Sequence, residues 1–419
     1  YPGNSNPADN WKWIMTQFDE AATVLPSKSG LGGQKAIGGR WTAEACFAYK
    51  GQGYMWQNDY ANAKVELAKV INSGKYELWE KTATMGPSSY GTNMQLAKSQ
   101  NENWSDGNEE YEYLTLYRAE ADFCDEFLLE LDGDATTITS TEPYWFRAYM
   151  NWRKDEVNLP GNTTTASDGW GFVNPTRTFG YAFAKHDGNS VRRRAAIATY
   201  SEVYHDFPYL NKDVRGVMSS MLFENEGYFR MKYYDYVDDV VPERFASGQT
   251  NGNRTNFPLM RYADVLLLYA EAVCMSGEGT ANISGLEALN KVRRRAGLTD
   301  APALDMDNAE YGIKAERRFE LWLEDCSRYV DLIRWGDYKK FITDTSIDGV
   351  SEHWGNECAW LVGLKDATKR TTDPTDWSNY EVRYDPLSTR GTWSDRFYLW
   401  PFPYAETTQN PNLDQNTGW

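Results

Sequence analysis

The segment from residue 144 to residue 172 concentrates aromatic side chains among amides, carboxylates and guanidinium groups. Its candidate ligand contacts are Trp145, Tyr149, Asn151, Trp152, Arg153 and Trp170. Flat aromatic faces can stack on the apolar faces of sugar rings, while amide and guanidinium groups bind hydroxyls in a cleft. The composition of this segment therefore predicts a ligand-binding surface. The alternative is that the same aromatic side chains fill a core built from loops.

A second aromatic cluster comprises Trp354, Trp360, Trp377 and Tyr380. Contact with a partner protein and packing inside the chain explain this cluster as well as ligand binding does. We therefore place the predicted ligand contacts in the first segment.

Groups that could carry out catalysis or bind a metal are few. The three histidines, His186, His205 and His353, form no HExxH or HxH motif, and the five cysteines include no CxxC pair. Glycoside hydrolysis needs two carboxylates that flank the scissile bond. Although 60 acidic residues always offer pairs, none lies in a recognisable catalytic motif. We therefore predict that the chain is not an enzyme, with an all-α glycoside hydrolase as the alternative.

The sequence from Asp132, DGDATTITSTEP, begins like a calcium-binding EF-hand loop. It carries Thr137 where that loop needs glycine for its sharp turn, and Pro143 where the bidentate glutamate belongs. We therefore predict no cofactor, with calcium as the weakly signalled alternative.

Charge and hydropathy argue against a nucleic-acid partner and against a membrane-spanning helix. Lys and Arg number 43 against 60 Asp and Glu, so the net charge is −17, and such a polyanion repels phosphate backbones. The longest apolar run, Val265 to Val273, is too short to cross a bilayer and contains Glu271. A hydrophobic fraction of 41% still provides a sizeable core.

Helix pairs must form the scaffold that positions the aromatic segment. A tetratricopeptide-like pattern begins with Phe47, Gly51 and Tyr54 and continues with Ala63 and Leu67. Gly51 and Ala63 would allow two helices to approach closely. The pattern recurs in RYADVLLLYAEAVCMSG and GLEALNKVRRRAGL. The basic cluster at the end of this second pair precedes a glycine, where cations offset the helix dipole, so we predict no anion site there.

The chain divides into four predicted regions. Residues 1–85 hold a first helix, capped by Asn6 and Pro7, and the first helix pair. Residues 86–260 form an irregular, aromatic-rich ligand-binding region. Residues 261–345 hold further helical repeats, and residues 346–419 form a loop-rich segment that packs back on the scaffold.

Several segments together resemble the SusD/RagB family of outer-membrane lipoproteins, and they follow one another in the family's order. They are GRWTAEACFAYKGQGYMWQNDYANAKVELAKVINSGKYEL, GWGFVNPT, RYADVLLLYAEAV, ALNKVRRRAGL, ERRFELWLED, RYVDLIRWGD and the closing LWPFP with NPNLDQNTGW. The closing motif departs from the family in one place, because Thr417 stands where proline is usual.

The resemblance implies a mainly α fold, in which a tetratricopeptide-like scaffold carries a large loop-rich binding region. It also implies a cell-surface protein that binds oligosaccharides, or peptides in some members. Such a protein acts as a hinged lid on a SusC-like TonB-dependent transporter. We expect a lipid anchor in the outer membrane, supplied by a segment before Tyr1. The resemblance further implies a folded C-terminal tail, with Trp335 and Trp400 in the core.

Overall fold

A computed structural model describes residues 6–28, 39–79, 113, 115–117, 121–131, 171–206, 226–233, 256–324, 327–343, 357–386 and 394–419. The helices in these ranges are α1 (Pro7–Val24), α2 (Ala43–Trp56), α3 (Tyr60–Ser73), α4 (Arg177–Asp187), α5 (Val191–Ala196), α6 (Tyr200–Asp206), α7 (Tyr262–Ser276), α8 (Gly285–Arg295), α9 (Ile313–Glu320), α10 (Ser327–Arg334), α11 (Tyr338–Thr343) and α12 (Tyr404–Gln409). The strands are β1 (Phe127–Leu131), β2 (Ile197–Thr199), β3 (Tyr228–Arg230), β4 (Phe257–Arg261), β5 (Glu357–Leu364) and β6 (Tyr380–Pro386). Helices thus dominate, as predicted.

Helices α2 and α3 begin and end where their capping residues stand. Thr42 accepts a hydrogen bond from the Ala45 N–H, and Asp59 caps α3 in the same way. A Cβ atom at Gly51 would lie 2.7 Å from Cγ of Leu67, and Ala63 is fully buried. The prediction that Gly51 and Ala63 lie where two helices touch is therefore confirmed. The wider repeat assignment stays a prediction.

Ala63→Leu is expected to lower the free energy of unfolding by about 1–3 kcal/mol, because the larger side chain overpacks the α2–α3 contact. Thermal unfolding followed by circular dichroism measures the effect. Ala61→Leu is the matched control, since Ala61 lies on the same helix and is exposed. Equal melting temperatures for the two variants would contradict the proposed contact.

Helix α7 lies at the centre of the largest hydrophobic cluster. Every residue from Tyr262 to Val273 is buried, and α3 and α8 pack against this helix. A helix that is apolar on most of its surface is suited to such a central position, provided that its few charged groups are paired. Its two carboxylates are paired: Asp264 accepts a hydrogen bond from Arg317, and Glu271 accepts from Arg334.

The strands of the described ranges pair into two-stranded antiparallel sheets, β1 with β4, β2 with β3 and β5 with β6. The β5–β6 sheet lies in the region predicted to be loop-rich. Its signal is present in β6, where Tyr380, Val382 and Tyr384 alternate with charged residues. The sheet was not predicted, because the preceding stretch, rich in Thr and Asp, resembles a continuous loop.

The described part of region 86–260 contains helices α4, α5 and α6, although this region was predicted to be irregular. Thr176 and Ser190 cap α4 and α5. Arg192 and Arg193 of α5 are buried almost completely. Buried arginines remove the apolar periodicity by which a helix is recognised, so these helices were missed.

The C-terminal tail is folded, but Trp400 is 76% exposed and the prediction that it lies in the core was wrong. Its indole N–H donates to the hydroxyl of Tyr329, 2.9 Å away at the surface, so the ring lies on α10 rather than beneath it. The side-chain amide of Gln415 bonds both backbone groups of Phe402. The indole N–H of Trp419 donates to the carbonyl of Leu399. Tail amides therefore satisfy backbone groups of the tail itself.

Trp335 is half-buried, and its indole N–H donates to the Glu271 carboxylate over 2.8 Å. This hydrogen bond ties the ring to α7, but Trp335 is only partly buried and does not lie in the core as predicted.

Candidate functional site

The predicted ligand contacts lie outside the residues that the structure describes. They are Trp145, Tyr149, Asn151, Trp152, Arg153 and Trp170. The loop from Asp132 to Pro143, considered for calcium, lies outside as well. These assignments stay predictions.

The described residues include the last two of that segment, Gly171 and Phe172, and here the chain exposes apolar side chains. Phe172 and Val173 are both exposed. Val173 has a φ of +53°, a left-handed conformation that is unusual for a β-branched residue. Such strained backbone is concentrated at ligand-binding and active sites. The predicted binding segment thus ends in an exposed aromatic beside a constrained residue.

Two members of the second aromatic cluster pack inside the protein. The ring of Trp377 lies 5.0 Å from that of Tyr380 and 5.6 Å from that of Tyr228, and the Arg177 guanidinium lies 4.1 Å from its centroid. Tyr380 is only 4% exposed. These contacts support the packing interpretation for Trp377 and Tyr380. Trp354 lies outside the described residues.

Glycines make this aromatic packing possible. A Cβ atom at Gly227, whose φ is +96°, would lie 2.2 Å from the Trp377 ring. A Cβ atom at Gly180 would lie equally close, 2.2 Å, to the ring of Tyr228. The cluster therefore fixes β3, α4 and the loop before β6 against one another.

A cleft of about 610 Å³ opens between α4, the loop at residues 306–310, α9, α10 and α11. This volume lies in the range of small-ligand pockets. Apolar side chains, among them Met306, Phe319, Leu332 and Phe341, form part of its wall. Its charged and imidazole groups are Lys185, His186, Asp307, Glu310, Lys314, Arg318, Arg328, Asp337 and Lys340. We call it the basic cleft, because five Lys and Arg side chains face three carboxylates in its described lining.

Lys314 holds two of these carboxylates. Its ammonium group lies 2.8 Å from Asp307 and 2.7 Å from Asp337. Burial lowers the pKa of Lys314, but hydrogen bonds and attraction from Asp307 and Asp337 outweigh burial and raise it. Lys314 is therefore a fixed cation that ties the 306–310 loop to the start of α11.

The inner wall of the basic cleft contains His186, whose side chain is 4% exposed. Its Nδ1 lies 2.6 Å from an Asp187 oxygen, and its Nε2 lies 3.7 Å from Glu316. The contact with Asp187 fixes the ring orientation. His186 thus connects the cleft to the charged groups behind it.

Behind the cleft lies a buried charge network. Its members are Glu126, Asp187, Arg192, Arg261, Arg295, Glu316, Glu320 and Glu324. Glu320 stands at its centre and accepts hydrogen bonds from Arg295 (2.6 Å), Arg261 (2.8 Å) and Arg192 (3.3 Å). The Tyr113 hydroxyl donates to the same carboxylate over 2.9 Å.

The arginines of the network lower the pKa values of two of its carboxylates, Glu320 and Asp187. Burial would raise the pKa of Glu320, but the charges of Arg295, Arg261 and Arg192 together lower it far below its usual range. Burial would also raise the pKa of Asp187, but attraction from Arg192 outweighs burial and lowers the pKa to about 2. Carboxylates held in this way are poor proton donors, and their ion pairs tie separate elements of the fold together.

The basic cluster at the end of α8 belongs largely to this structure. Arg295 pairs with Glu126 and Glu320, and Arg293 pairs with Glu316. The prediction of a structural role agrees with these contacts. The main partners, however, are carboxylates of other elements rather than the carbonyl end of α8.

Sequence reasoning missed the basic cleft, whose lining comes from separate segments of α4, α9, α10 and α11. Arg318 lies in ERRFELWLED and Arg328 lies in RYVDLIRWGD, but neither motif by itself indicates a cleft. In the part of the chain that the structure describes, no group of three or more His, Cys, Asp or Glu could hold a metal ion. Within the same residues, no helix is both long and apolar enough to span a membrane.

Comparison with known proteins gives a match to the model of the SusD family over residues 135–419. A SusD-like protein of Bacteroides ovatus is 28% identical over 166 residues, which cover 38% of this chain and 29% of that protein. The chain thus spans 29% of the length of this curated relative.

Solved structures share the fold over nearly the whole chain. A SusD-like protein from Bacteroides fragilis NCTC 9343 has a TM-score of 0.66 at 19% identity, covering 100% of this chain and 72% of its own. Surface glycan-binding protein A from Bacteroides thetaiotaomicron, in complex with laminarihexaose, has a TM-score of 0.59 at 18% identity, covering 97% and 70%. A laminarin-binding SusD-like protein has a TM-score of 0.58 at 20% identity, covering 99% and 70%. At these identities the likeness establishes the helix-rich SusD-like fold.

Proposed function

Because this chain belongs to the SusD family, we propose that it is a cell-surface glycan-binding protein that captures oligosaccharides without cleaving them. The family match over residues 135–419 carries the proposal. It is supported by structural neighbours described as surface glycan-binding proteins. In its full-length form the protein would be held in the outer membrane by a lipid anchor.

The binding surface in this proposal is the aromatic segment 144–172. Two observations support the placement: the density of aromatic and hydrogen-bonding side chains, and the exposed Phe172 on a constrained turn at its end. The aromatic rings would stack on sugar rings, while Asn151 and Arg153 would bind hydroxyls.

Trp145→Ala, Tyr149→Ala and Trp152→Ala are expected to weaken binding by about 1–3 kcal/mol each where the ring stacks on sugar, because stacking area is lost. Affinity gel electrophoresis over a panel of neutral glycans, including laminarin, identifies a ligand, and calorimetry measures the loss. Tyr404→Ala is the control, since Tyr404 is an exposed aromatic of the tail. If all three variants bind as tightly as this control, the placement is wrong.

The same glycans distinguish binding from hydrolysis. Incubation with the bound glycan should release no new reducing ends. Their appearance would favour the hydrolase alternative and would require a pair of carboxylates about the scissile bond.

We further propose that the protein delivers its ligand to a SusC-like TonB-dependent transporter as a hinged lid. A lid that closes on a barrel needs an interface larger than the roughly 1,200–2,000 Å² of a standard complex. Full-length protein extracted from outer membranes in mild detergent is expected to carry such a transporter with it. Extraction of the protein alone, with glycan import intact in cells that lack the transporter, would contradict this role.

A further inference from the structure

The basic cleft has the features of a second ligand site, and its chemistry differs from that of the aromatic segment. It is a concave cavity with a volume of about 610 Å³, and its walls contain both apolar and charged side chains. The lining residues that the structure describes come from α4, the 306–310 loop, α9, α10 and α11. It is therefore a place on the protein at which a small ligand could bind.

The described lining of this cleft carries more positive than negative groups, although the chain as a whole is negatively charged. The whole sequence carries a net charge of −17, yet five Lys and Arg side chains face three carboxylates in the described lining. Two of these carboxylates, Asp307 and Asp337, are already bound to Lys314. A concave site with an excess of one charge sign focuses the field and attracts ligands of the opposite sign.

Two lysines are free to meet such a ligand. Lys185 lies at the end of α4 and Lys340 lies in α11, and both are exposed at the cleft. Neither forms an ion pair or a side-chain hydrogen bond with another residue of the described ranges. Their ammonium groups thus offer charge from two different elements around one cavity.

The apolar wall narrows the kind of anion. The guanidinium of Arg318 lies 5.4 Å from the Phe319 ring centroid, and that of Arg328 lies 5.4 Å from the Phe341 centroid. Flat apolar and guanidinium surfaces beside ammonium groups suit a ligand that has ring faces as well as a negative charge. A simple inorganic anion would use only the charges.

We propose that the basic cleft binds an anionic sugar, one that carries a carboxylate or a sulfate group. This inference rests on the proposed glycan-binding function and adds to it a second site with a different ligand class. Lys185 and Lys340 bind the acidic group, and the apolar wall contacts the ring.

The test compares the double variant Lys185→Gln/Lys340→Gln with the control Lys12→Gln/Lys291→Gln, which removes the same charge from exposed lysines elsewhere. Calorimetry uses tetragalacturonic acid, a sulfated chondroitin tetrasaccharide and neutral laminarihexaose. We expect the cleft variant to lose about tenfold in affinity for the anionic probe that binds. Its affinity should also depend less on salt than that of the wild type. The control should bind like the wild type.

Other outcomes overturn the proposal. An equal loss in the control variant would show a general charge effect, and loss of anionic binding in Trp145→Ala would place that ligand at the aromatic segment. Binding of neutral glycans with no binding of either anionic probe would overturn the cleft proposal alone. If no glycan binds, the proposed function fails together with it. The carboxylate and sulfate probes decide which acidic group is preferred.

Discussion

Glu320→Gln is expected to lower the free energy of unfolding by about 3–5 kcal/mol, the typical cost of removing one partner from a buried ion pair. Glu320 accepts hydrogen bonds from Arg192, Arg261 and Arg295 at distances of 3.3, 2.8 and 2.6 Å. Glutamine keeps the size of the side chain but not its charge. The three buried guanidinium groups would then lose the carboxylate charge that compensates for their desolvation.

Urea unfolding followed by circular dichroism measures this loss. Glu287→Gln is the matched control, because Glu287 also binds an arginine but at the surface. Surface ion pairs contribute about 0–1 kcal/mol. If both variants unfold at the same urea concentration, the buried charge network does not stabilise the protein in the way described.

Acidification is expected to destabilise the protein steeply below about pH 4. The pKa of Asp187 is held at about 2 against an ordinary value of 3.8, since attraction from Arg192 outweighs burial. A depressed pKa means that the stabilisation is complete above the unfolded value and is lost as the pH falls through the folded value. For Asp187 alone this amounts to about 2 kcal/mol, lost between pH 4 and pH 2.

Other carboxylates act in the same direction. The pKa values of Glu320, Glu324 and Glu202 are lowered by arginine or lysine partners that outweigh burial. Asp264 opposes them, because burial outweighs Arg317 and raises its pKa. Urea unfolding at pH 7, 5, 4 and 3 should show the net loss, and Asp187→Asn should flatten the curve. Asp300→Asn, at an exposed position, should leave it unchanged, and parallel curves for all three proteins would refute this account.

Local signals made much of the helical scaffold predictable. Asn6 caps α1, as its position before Pro7 indicates. Gly51 and Ala63 could be predicted because the repeat pattern places small residues where two helices touch. Each of these features depends on residues close together in sequence or on one repeat pattern. The family motifs then supplied the order of the elements, which periodicity alone does not give.

Buried charge and surface aromatics were not predictable in the same way. Arginine is usually exposed to solvent. Arg192 and Arg261 are nevertheless buried, because each forms an ion pair with a carboxylate from a distant segment. Trp400 is of a residue type that is usually buried, yet it lies on the surface. The basic cleft combines Lys185 with Lys340, and no sequence pattern relates them. These features depend on tertiary contacts.

The buried charge network has a consequence for the order of folding. Its contacts join Glu126 to Arg295 across 169 residues and Arg192 to Glu316 across 124. Closing loops of this length is entropically costly, so such contacts form late, after the adjacent helices α2 and α3 have paired. Contacts that are absent from the transition state alter the unfolding rate and leave the folding rate nearly unchanged. The network therefore determines how long a folded molecule survives rather than how quickly it forms.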